Sequence, residues 1–286
     1  MFKFYIYKIG FFIANRLPKE FVNRFAIFLS DMQYLFSFRD RRNVRNNLKI
    51  ILPSHENLSS QTREVFRNFG RYLLEFFRMQ RMIDQEYIRR NIKLGNLDII
   101  HKVLEKGKGA IFLTAHIGNW ELGAVVMAML GFPVVVIALP NKERPVNDLF
   151  NKQRELKGVR VVQANSAIRK CVEILKNNQI VALAADRDFS ENGIVMDFFG
   201  KKTLIPKGTA IFSMKTGAPI IPVFLTRNED NTFTLVIEEP IAPGVMQHGD
   251  IDHQVLMPTM KKYTAIIEDK IRQFPTQWLM FRPFWV

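Results

Sequence analysis

The sequence predicts an α/β fold, with a largely parallel central sheet flanked by helices and an N-terminal helical section that associates with membranes. Three observations support this prediction. Short β-rich segments alternate with helical ones from about Gly95 onward, which is the pattern of parallel strands joined by crossover helices. The first 50 residues instead combine amphipathic helical patterns with a cationic stretch. Hydrophobic residues make up 48% of the chain, which is enough to bury a large core.

The first 50 residues are predicted to form the membrane-associating section, and residues 51–286 the α/β domain. Met1–Ala14 is very apolar but carries Lys3 and Lys8, and it is shorter than the roughly 20 residues that span a bilayer. It therefore predicts a helix lying at the interface or a short anchor. Residues 21–36 repeat apolar positions at helical spacing, and a cationic stretch follows: Arg39, Arg41, Arg42, Arg45 and Lys49. A core-packed helix with a solvated charged face is the alternative.

The remaining elements are predicted from hydrophobic periodicity, taken in chain order. A long amphipathic helix covers residues 60–83. The predicted strands are residues 110–115, 134–138, 159–162, 180–185, 220–226 and 232–238. The predicted helices of the domain are residues 120–130, 146–156, 167–177, 207–216 and 254–274. The last two strands are close enough in sequence to form a hairpin.

Composition narrows the class of partner. The net charge of +14 favours polyanions, which include nucleic acid, anionic lipid headgroups and an acidic carrier protein. We find no zinc-finger spacing and no RNP motif, whereas the apolar N-terminus and the 25 phenylalanines favour lipid. The single cysteine, Cys171, excludes an intrachain disulfide, and its position in a helical pattern predicts a small buried residue.

The densest chemical signal is Thr114–Glu121, where a predicted strand ends and a helix begins. Ligands bind at that edge of an open α/β sheet. Continuous helix would separate His116 and Glu121 by about 140°, so they meet only if Gly118 and Asn119 turn the chain and Asn119 caps the helix. We then predict His116 as a general base and Glu121 as the carboxylate that fixes its tautomer. Gly118 and Asn119 are also predicted to contact the substrate.

A hydroxyl of the substrate is the expected nucleophile, because no serine lies in a G-x-S-x-G turn. His116 would take the proton of that hydroxyl, which then attacks a thioester carbonyl. Arg154 lies on the helix after the second predicted strand and is a candidate anchor for phosphate on the acceptor. The alternatives are a structural histidine at His116 and a surface residue at Arg154.

Two further groups are candidates for substrate contact. Asp186, Arg187 and Asp188 follow a predicted strand and reach the same edge of the sheet. Arg187 can hold a phosphate or an oxyanion there, while the carboxylates orient it or bind sugar hydroxyls. Lys207 and Gly208 open a helix whose free N–H groups can bind phosphate. A surface ion-pair cluster and a proline-initiated helix are the respective alternatives.

Ordered blocks along nearly the whole chain are similar to those of one protein family. The segment HIGNWE carries the spacing His-x-x-x-x-Glu. The other blocks are RRNVRNNL (Arg41–Leu48), LFNKQRELKG (Leu149–Gly158), ADRDFSENGIVMDFFGKKTLIPKGTA (Ala185–Ala210), TGAPIIPVF (Thr216–Phe224) and PTQWLMFRPFW (Pro275–Trp285). Together they resemble the bacterial lipid A biosynthesis acyltransferases of the lauroyl/myristoyl type, within the lysophospholipid and glycerophosphate acyltransferase superfamily.

The resemblance implies transfer of a fatty acyl chain from an acyl carrier protein or coenzyme A thioester to a membrane glycolipid or phospholipid, such as a lipid A precursor. It also implies catalysis without a metal or organic cofactor, at the cytoplasmic face of the inner membrane. One block departs from the pattern. Asp186-Arg187-Asp188 stands where proteobacterial lipid A enzymes usually have Asp-Gln-Asp, and it is more similar to phosphatidylinositol mannoside acyltransferases.

Two rival functions come from other classes. A lipid or thioester hydrolase would share the histidine and carboxylate but would not need a basic, lipid-binding N-terminus. A non-catalytic basic protein that binds membranes or nucleic acid would keep its function without His116.

Overall fold

The computed structural model describes residues 2–54, 56–138, 143–163, 167–188, 192–244 and 253–285. The helices are α1 (Phe2–Arg16), α2 (Lys19–Phe36), α3 (Phe38–Ile51), α4 (Leu58–Met82), α5 (Gln85–Asn91), α6 (Asp98–Leu104), α7 (Trp120–Met129), α8 (Arg144–Glu155), α9 (Ala167–Lys176), α10 (Gly208–Thr216) and α11 (His253–Gln273). The strands are β1 (Ile92–Lys93), β2 (Ala110–Thr114), β3 (Val134–Ala138), β4 (Arg160–Gln163), β5 (Ile180–Ala184), β6 (Ile194–Phe198), β7 (Lys201–Ile205), β8 (Ile220–Arg227) and β9 (Phe233–Ile237).

The central sheet has seven strands in the order β1-β9-β8-β2-β5-β3-β4. Its pairs are parallel except for the β8–β9 hairpin. The prediction of a largely parallel sheet flanked by helices is therefore confirmed. Strand β2 lies between β5 and β8 and is buried along nearly its whole length, as expected for a strand covered by helices on both faces.

The two faces of the sheet form two hydrophobic clusters. Alternate residues of β2 divide between them, with Ile111 and Leu113 on one face and Ala110 and Phe112 on the other, because successive side chains of a strand point to opposite sides. Helices α9, α10 and α11 cover the first face. Helices α6 and α7, together with part of α4, cover the second. Cys171 is fully buried in the first cluster, and burial raises the pKa of its thiol to about 11.

The N-terminal helices α1, α2 and α3 pack against the long helix α4. Asp31 of α2 forms ion pairs with both Arg63 and Arg67 of α4, and the distances are 2.6 and 2.8 Å. Asn15 of α1 donates a hydrogen bond to the carbonyl oxygen of Phe77 at 2.8 Å. In the portion of the chain that the structure describes, no helix has the length and apolarity required to cross a bilayer.

The structure adds several elements that the sequence pattern does not predict. The cationic stretch lies within a regular helix, α3, and the short elements α5, β1 and α6 precede the sheet. Strands β6 and β7 form a separate antiparallel hairpin. Its turn places Phe199 and Gly200 at φ angles of 52° and 73°. Two successive left-handed residues favour a two-residue hairpin turn, but phenylalanine rarely adopts that conformation.

Candidate active site

The register of two neighbouring strands brings His116 and Asp186 together. Strands β2 and β5 are parallel and in register, with Thr114 opposite Ala184. The amide of Ala185 extends the pairing by donating to the carbonyl oxygen of Thr114 at 2.9 Å. His116 and Asp186 each come two residues after the end of a strand, so they lie side by side at the carboxyl edge of the sheet, where α/β folds bind ligands.

Asp186 is fully buried and holds His116 by both oxygens. Its Oδ1 lies 2.8 Å from Nδ1 of the His116 ring, and its Oδ2 accepts from the His116 backbone amide at 3.1 Å. The indole Nε1 of Trp278 donates to the same Oδ2 at 3.0 Å. When the imidazole is neutral, a carboxylate at Nδ1 requires the proton to be on Nδ1, so Nε2 is the basic nitrogen.

The pair is electrostatically coupled. Burial lowers the pKa of His116, but the charge of Asp186 and its hydrogen bond outweigh that effect and raise the pKa above the ordinary histidine value. Burial has the opposite effect on Asp186 and raises the pKa of its carboxyl, but the charge of His116 and the hydrogen bonds outweigh burial and lower that pKa overall. Asp186 therefore stays ionised beside His116, which is the condition under which a carboxylate stabilises an imidazolium.

The loop after His116 is fixed by backbone contacts. Gly118 has a φ of 61°, and a Cβ atom there would lie 2.1 Å from the carbonyl oxygen of Leu225, so only glycine fits. Asn119 is fully buried, and its side chain accepts from the amide of Leu122 at 3.0 Å. The prediction that Asn119 caps this helix is confirmed. Its amide group also donates to Glu75 at 2.8 Å, so the described bonds of Asn119 are structural ones.

The C-terminal segment closes over this loop. Ile117 and Trp278 form an antiparallel bridge, and Leu279 donates to the carbonyl oxygen of His116 at 2.8 Å. The ring of Trp120 packs edge-on against His116, with 4.9 Å between ring centroids, and it stacks on Tyr72 at 4.5 Å. The imidazole is therefore held in place by Asp186 on one side and by Trp120 on another.

Glu121 has a different neighbour from the one the sequence predicted. Its two carboxylate oxygens accept from Nη2 and Nε of Arg154 at 2.6 and 2.7 Å. The side chains of Glu121 and Arg154 are only 7% and 11% exposed. The bond to an imidazole nitrogen that was predicted for Glu121 is made by Asp186, and Arg154, the candidate anchor for phosphate, forms a buried pair with Glu121. The physical reason is that the side chain of Glu121, in the first turn of α7, reaches Arg154 of α8.

The Glu121–Arg154 pair should matter more for stability than for acid–base chemistry. Replacing Arg154 by methionine leaves a buried carboxylate without its partner, so we expect the free energy of unfolding to fall by about 3–5 kcal/mol. Urea denaturation of the Arg154→Met variant measures this loss. The double variant Glu121→Met/Arg154→Met removes both charges and should recover much of it.

A matched control is available on the surface. Arg90 and Glu86 form an ion pair with side chains 71% and 54% exposed, and Arg90→Met should cost no more than about 1 kcal/mol. The Glu121→Met/Arg154→Met variant is compared with the two single variants, Glu121→Met and Arg154→Met. If its loss in free energy of unfolding equalled the sum of their two losses, Glu121 and Arg154 would be acting independently.

His116 opens into a cleft of about 840 Å³, here called the His116 cleft. Arg39, Arg187 and Arg282 line it together with one carboxylate, Asp40. Arg187 therefore lies in the same cleft as His116, as the sequence predicted from its place after a strand. Arg39 and Arg282 come from α3 and from the C-terminal segment, and no sequence motif assigned them to the site.

An apolar cavity of about 400 Å³ adjoins the His116 cleft between α1, α2 and α4. Both spaces are lined by Tyr7, Gln33, Phe69 and Leu73. The shared lining places an aliphatic pocket directly beside a polar reaction centre. Such a combination suits a ligand with a reactive polar end and a long hydrocarbon chain.

The other predicted site residues lie elsewhere. Asp188 accepts from the amide of Gly193, the residue before β6, at 3.0 Å. Lys207 and Gly208 form the start of α10. None of the three belongs to the described lining of the His116 cleft. Within the described ranges, no group of three or more His, Cys, Asp or Glu side chains is arranged to hold a metal ion.

Trp278 is a ligand of Asp186 that no sequence motif assigned to the site; its place in the aromatic C-terminus predicts only packing over the sheet or contact with the membrane interface. Its indole donates to Asp186 and it is 2% exposed, so it is both a core residue and a ligand of the buried carboxylate. The position of Trp278 in an aromatic C-terminal segment indicates burial. Its partner could not be read from the sequence, because 92 residues separate it from Asp186.

With this geometry in place, comparison with known proteins assigns the chain to a class. It belongs to the family described as bacterial lipid A biosynthesis acyltransferase, whose model matches residues 1–286. The protein is therefore a lipid acyltransferase, an enzyme that acts on an acyl donor and a lipid acceptor.

Individual relatives lie within the same class. A phosphatidylinositol mannoside acyltransferase of Mycolicibacterium smegmatis is 24% identical over 286 residues, which cover 98% of this chain and 90% of the relative. Its counterpart in Mycobacterium tuberculosis is 29% identical over 223 residues, or 76% of this chain and 70% of the relative. Among solved structures, the 1-acyl-sn-glycerophosphate acyltransferase PlsC of Thermotoga maritima has 16% sequence identity and a TM-score of 0.39, covering 82% of this chain and 98% of its own.

Proposed function

We propose that the enzyme transfers a fatty acyl chain from a thioester to a sugar hydroxyl of a phosphate-bearing membrane glycolipid, with His116 as general base and Asp186 as the carboxylate that orients it. The observation that carries this proposal is the bond between the buried Asp186 and Nδ1 of His116. It fixes the tautomer in which Nε2 accepts a proton, and His116 is at the same time part of the cleft wall.

The reaction balances without a protein nucleophile. Nε2 of His116 takes the proton of the acceptor hydroxyl as that oxygen attacks the thioester carbonyl carbon. A new carbon–oxygen bond forms, the carbon–sulfur bond breaks, and the imidazolium returns its proton to the leaving thiolate. Asp186 stabilises the imidazolium between these two steps. The carboxylate of Glu121 has a weaker electrostatic effect on His116, which also favours the protonated ring.

The cleft supplies the other requirements of the reaction. Three arginines and one carboxylate line the cleft: Arg39, Arg187, Arg282 and Asp40. This excess of positive charge favours binding of phosphate, which a donor such as coenzyme A or the lipid acceptor can carry. It also favours the acidic groups of an acyl carrier protein. The neighbouring apolar cavity accepts the hydrocarbon chain. We assign Arg187 to a phosphate or to the developing oxyanion, because it lines the cleft together with His116.

The acceptor class is proposed from the relatives. Two of them act on phosphatidylinositol mannosides by name, and the family is described by lipid A biosynthesis. Both kinds of acceptor are glycolipids that bear phosphate and free sugar hydroxyls. The Asp186-Arg187-Asp188 segment resembles the mannoside enzymes, whereas a lipid A precursor has the same reactive chemistry.

Assay of the purified full chain tests the proposal. Acyl-coenzyme A and acyl carrier protein thioesters are each supplied with a lipid A precursor, a phosphatidylinositol mannoside or no acceptor, and the products are identified by mass spectrometry. We expect one donor and acceptor combination to give the acylated lipid faster than the free fatty acid appears. Fatty acid release at the same rate with and without acceptor would instead identify a hydrolase.

We also propose that residues 1–50 hold the enzyme at the cytoplasmic face of an anionic membrane. Helices α1 and α2 and the start of α3 present exposed aromatic rings, among which Phe12, Phe28 and Phe36 are 61%, 55% and 74% exposed. The cationic side chains of α3 lie beside them, and Arg42 and Arg45 are both exposed. Apolar residues that enter the interface next to cations are typical of peripheral membrane proteins.

A triple substitution tests the membrane surface without removing packed helices. Phe12→Gln/Phe28→Gln/Phe36→Gln should weaken binding to vesicles containing phosphatidylglycerol by about tenfold or more, because each buried ring contributes roughly 1.5–3 kcal/mol when fully inserted. Flotation with vesicles measures the bound fraction. A control variant changes Ile168 and Val195 to glutamine; these residues are 64% and 55% exposed on other parts of the surface. Equal binding by the two variants would place the membrane contact elsewhere.

A further inference from the structure

A second polar cleft lies on the side of α4 away from His116. It has a volume of about 590 Å³ and runs between the start of α2, the middle of α4, helix α5 and the β8–β9 turn. We call it the Arg78 cleft. Helix α4 contributes Tyr72 and Leu73 to the His116 cleft but Arg71, Glu75 and Arg78 to this one. Because helix residues advance by about 100° each, the two sets lie on opposite faces of α4.

Positive charge dominates the Arg78 cleft. Its cationic side chains are Lys19, Arg24, Arg71, Arg78 and Arg227, and its carboxylates are Glu75 and Asp230. Arg227 is paired with Glu75 at 2.6 Å, and Arg71 is paired with Glu64 at 2.5 Å. Among the described residues, no carboxylate lies within ion-pair distance of Lys19, Arg24 or Arg78. The cleft thus has a surplus of cations beyond what its own acids neutralise.

Arg78 is incompletely satisfied within the described chain. Its Nε and Nη1 atoms are buried and have no hydrogen-bond partner there. Burial lowers the pKa of its guanidinium, the charge of Arg81 lowers it further, and the carboxylate of Glu20 opposes both effects only in part. Two buried donors on a charged group cost free energy until an acceptor reaches them. A phosphate group supplies two oxygens in the planar geometry that a guanidinium recognises.

We propose that the Arg78 cleft is a second anion site, which binds a phosphate group through Arg78 with Arg24 and Lys19 beside it, separate from the catalytic cleft. The phosphate can belong to an anionic lipid headgroup or to a soluble phosphate ester. The lipid source is consistent with the surroundings, because α2 carries the exposed Phe21 and Phe28 next to the cationic residues. A lipid headgroup held there would fix the orientation of the enzyme on the membrane surface.

Thermal unfolding of the full chain tests the soluble source. With glycerol 3-phosphate, the wild-type Tm should rise with ligand concentration, as binding to the folded state requires, and glycerol should have no effect. In Arg78→Met, this shift should be lost, and the Tm without ligand should be unchanged or higher, because a buried unsatisfied charge is removed. Arg169→Met, at an exposed arginine of α9, is the matched control and should respond as wild type does.

Vesicle binding tests the lipid source. Flotation with vesicles of phosphatidylcholine with and without phosphatidic acid should show about tenfold or more weaker phosphatidic acid-dependent binding for Arg78→Met than for Arg169→Met. Arg24→Gln changes an exposed position in the same cleft and leaves Arg78 in place. It should show a smaller loss of phosphatidic acid-dependent binding than Arg78→Met.

The outcomes separate the alternatives. The site is supported if Arg78→Met loses either phosphate response while Arg169→Met keeps both. The assay in which Arg78→Met loses the response identifies the source of the phosphate. The proposal is overturned if both arginine-to-methionine variants match wild type in the two assays, or if Arg78→Met lowers the Tm and keeps the phosphate-induced shift. None of these measurements depends on acyl transfer, so they are independent of the proposed reaction.

Discussion

Replacing His116 by alanine should lower the rate of acyl transfer by about 10²–10⁴-fold, which is the usual cost of removing a general base. The expected loss follows from geometry, because the ring is bonded to Asp186 at Nδ1 and lines the cleft. The measurement is the initial rate of acylated lipid formation, with the donor and acceptor pair identified as above. Activity within threefold of wild type would exclude His116 as the base.

Two companion variants separate catalysis from folding. His116→Gln keeps an amide that can donate to Asp186 but cannot take a proton at neutral pH, so it should be as inactive as alanine while unfolding at a higher urea concentration. His101→Ala changes an exposed histidine of α6 and should keep full activity. If glutamine restored the rate, the role of His116 would be to hold Asp186 rather than to move a proton.

The sequence predicted the framework of the site because that framework is local. Strands β2, β3 and β5 are short apolar runs, and their predicted bounds agree with the structure to within one residue. The turn after His116 was also predictable, since Gly118 has a positive φ and Asn119 caps α7. Each of these features depends on residues that are neighbours in the chain.

The carboxylate partner of His116 was not predictable in the same way. Glu121 is five positions away and was chosen for that reason, whereas Asp186 is separated from His116 by 70 residues. The contact exists because β2 and β5 are adjacent in the sheet, with β3 on the far side of β5. Strand order depends on how the helices pack on the sheet, and periodicity within each segment carries no information about it.

The remaining differences have a similar origin. Arg154 occurs on the helix where it was predicted, but its charge is satisfied by Glu121 of α7, a contact between two helices that periodicity within each helix does not reveal. Arg39 and Arg282 enter the His116 cleft from the two ends of the chain. The β6–β7 hairpin was missed because its turn uses Phe199 in a left-handed conformation, which turn preferences do not favour at a phenylalanine.

Replacing Asp186 by asparagine should reduce acyl transfer by roughly 10²–10⁴-fold, although the change preserves shape. The reason is a reversal of hydrogen bonding. The asparagine carbonyl oxygen can take the place of Oδ2, which accepts from Trp278 and from the His116 amide. The Nδ2 group would then face Nδ1 of His116 and donate to it. That contact requires Nδ1 to be unprotonated, so the proton moves to Nε2 and the base is lost.

The pH dependence gives a readout that a merely structural role would not produce. The base is active only when neutral, so the wild-type rate should fall as pH drops through a His116 pKa that lies above the ordinary histidine value. Burial lowers that pKa, and Asp186 is the main group that raises it. The residual activity of Asp186→Asn should therefore extend to lower pH than that of wild type.

The matched control is Asp197→Asn, at an exposed carboxylate of β6 that pairs with Lys202. It should keep both the rate and the pH profile of wild type, because it lies on the surface and outside the cleft lining. Measuring kcat/KM between pH 5 and 9 for the three proteins gives the comparison directly. If Asp186→Asn lost activity with an unshifted acid limb, Asp186 would support the fold around His116 without governing its proton.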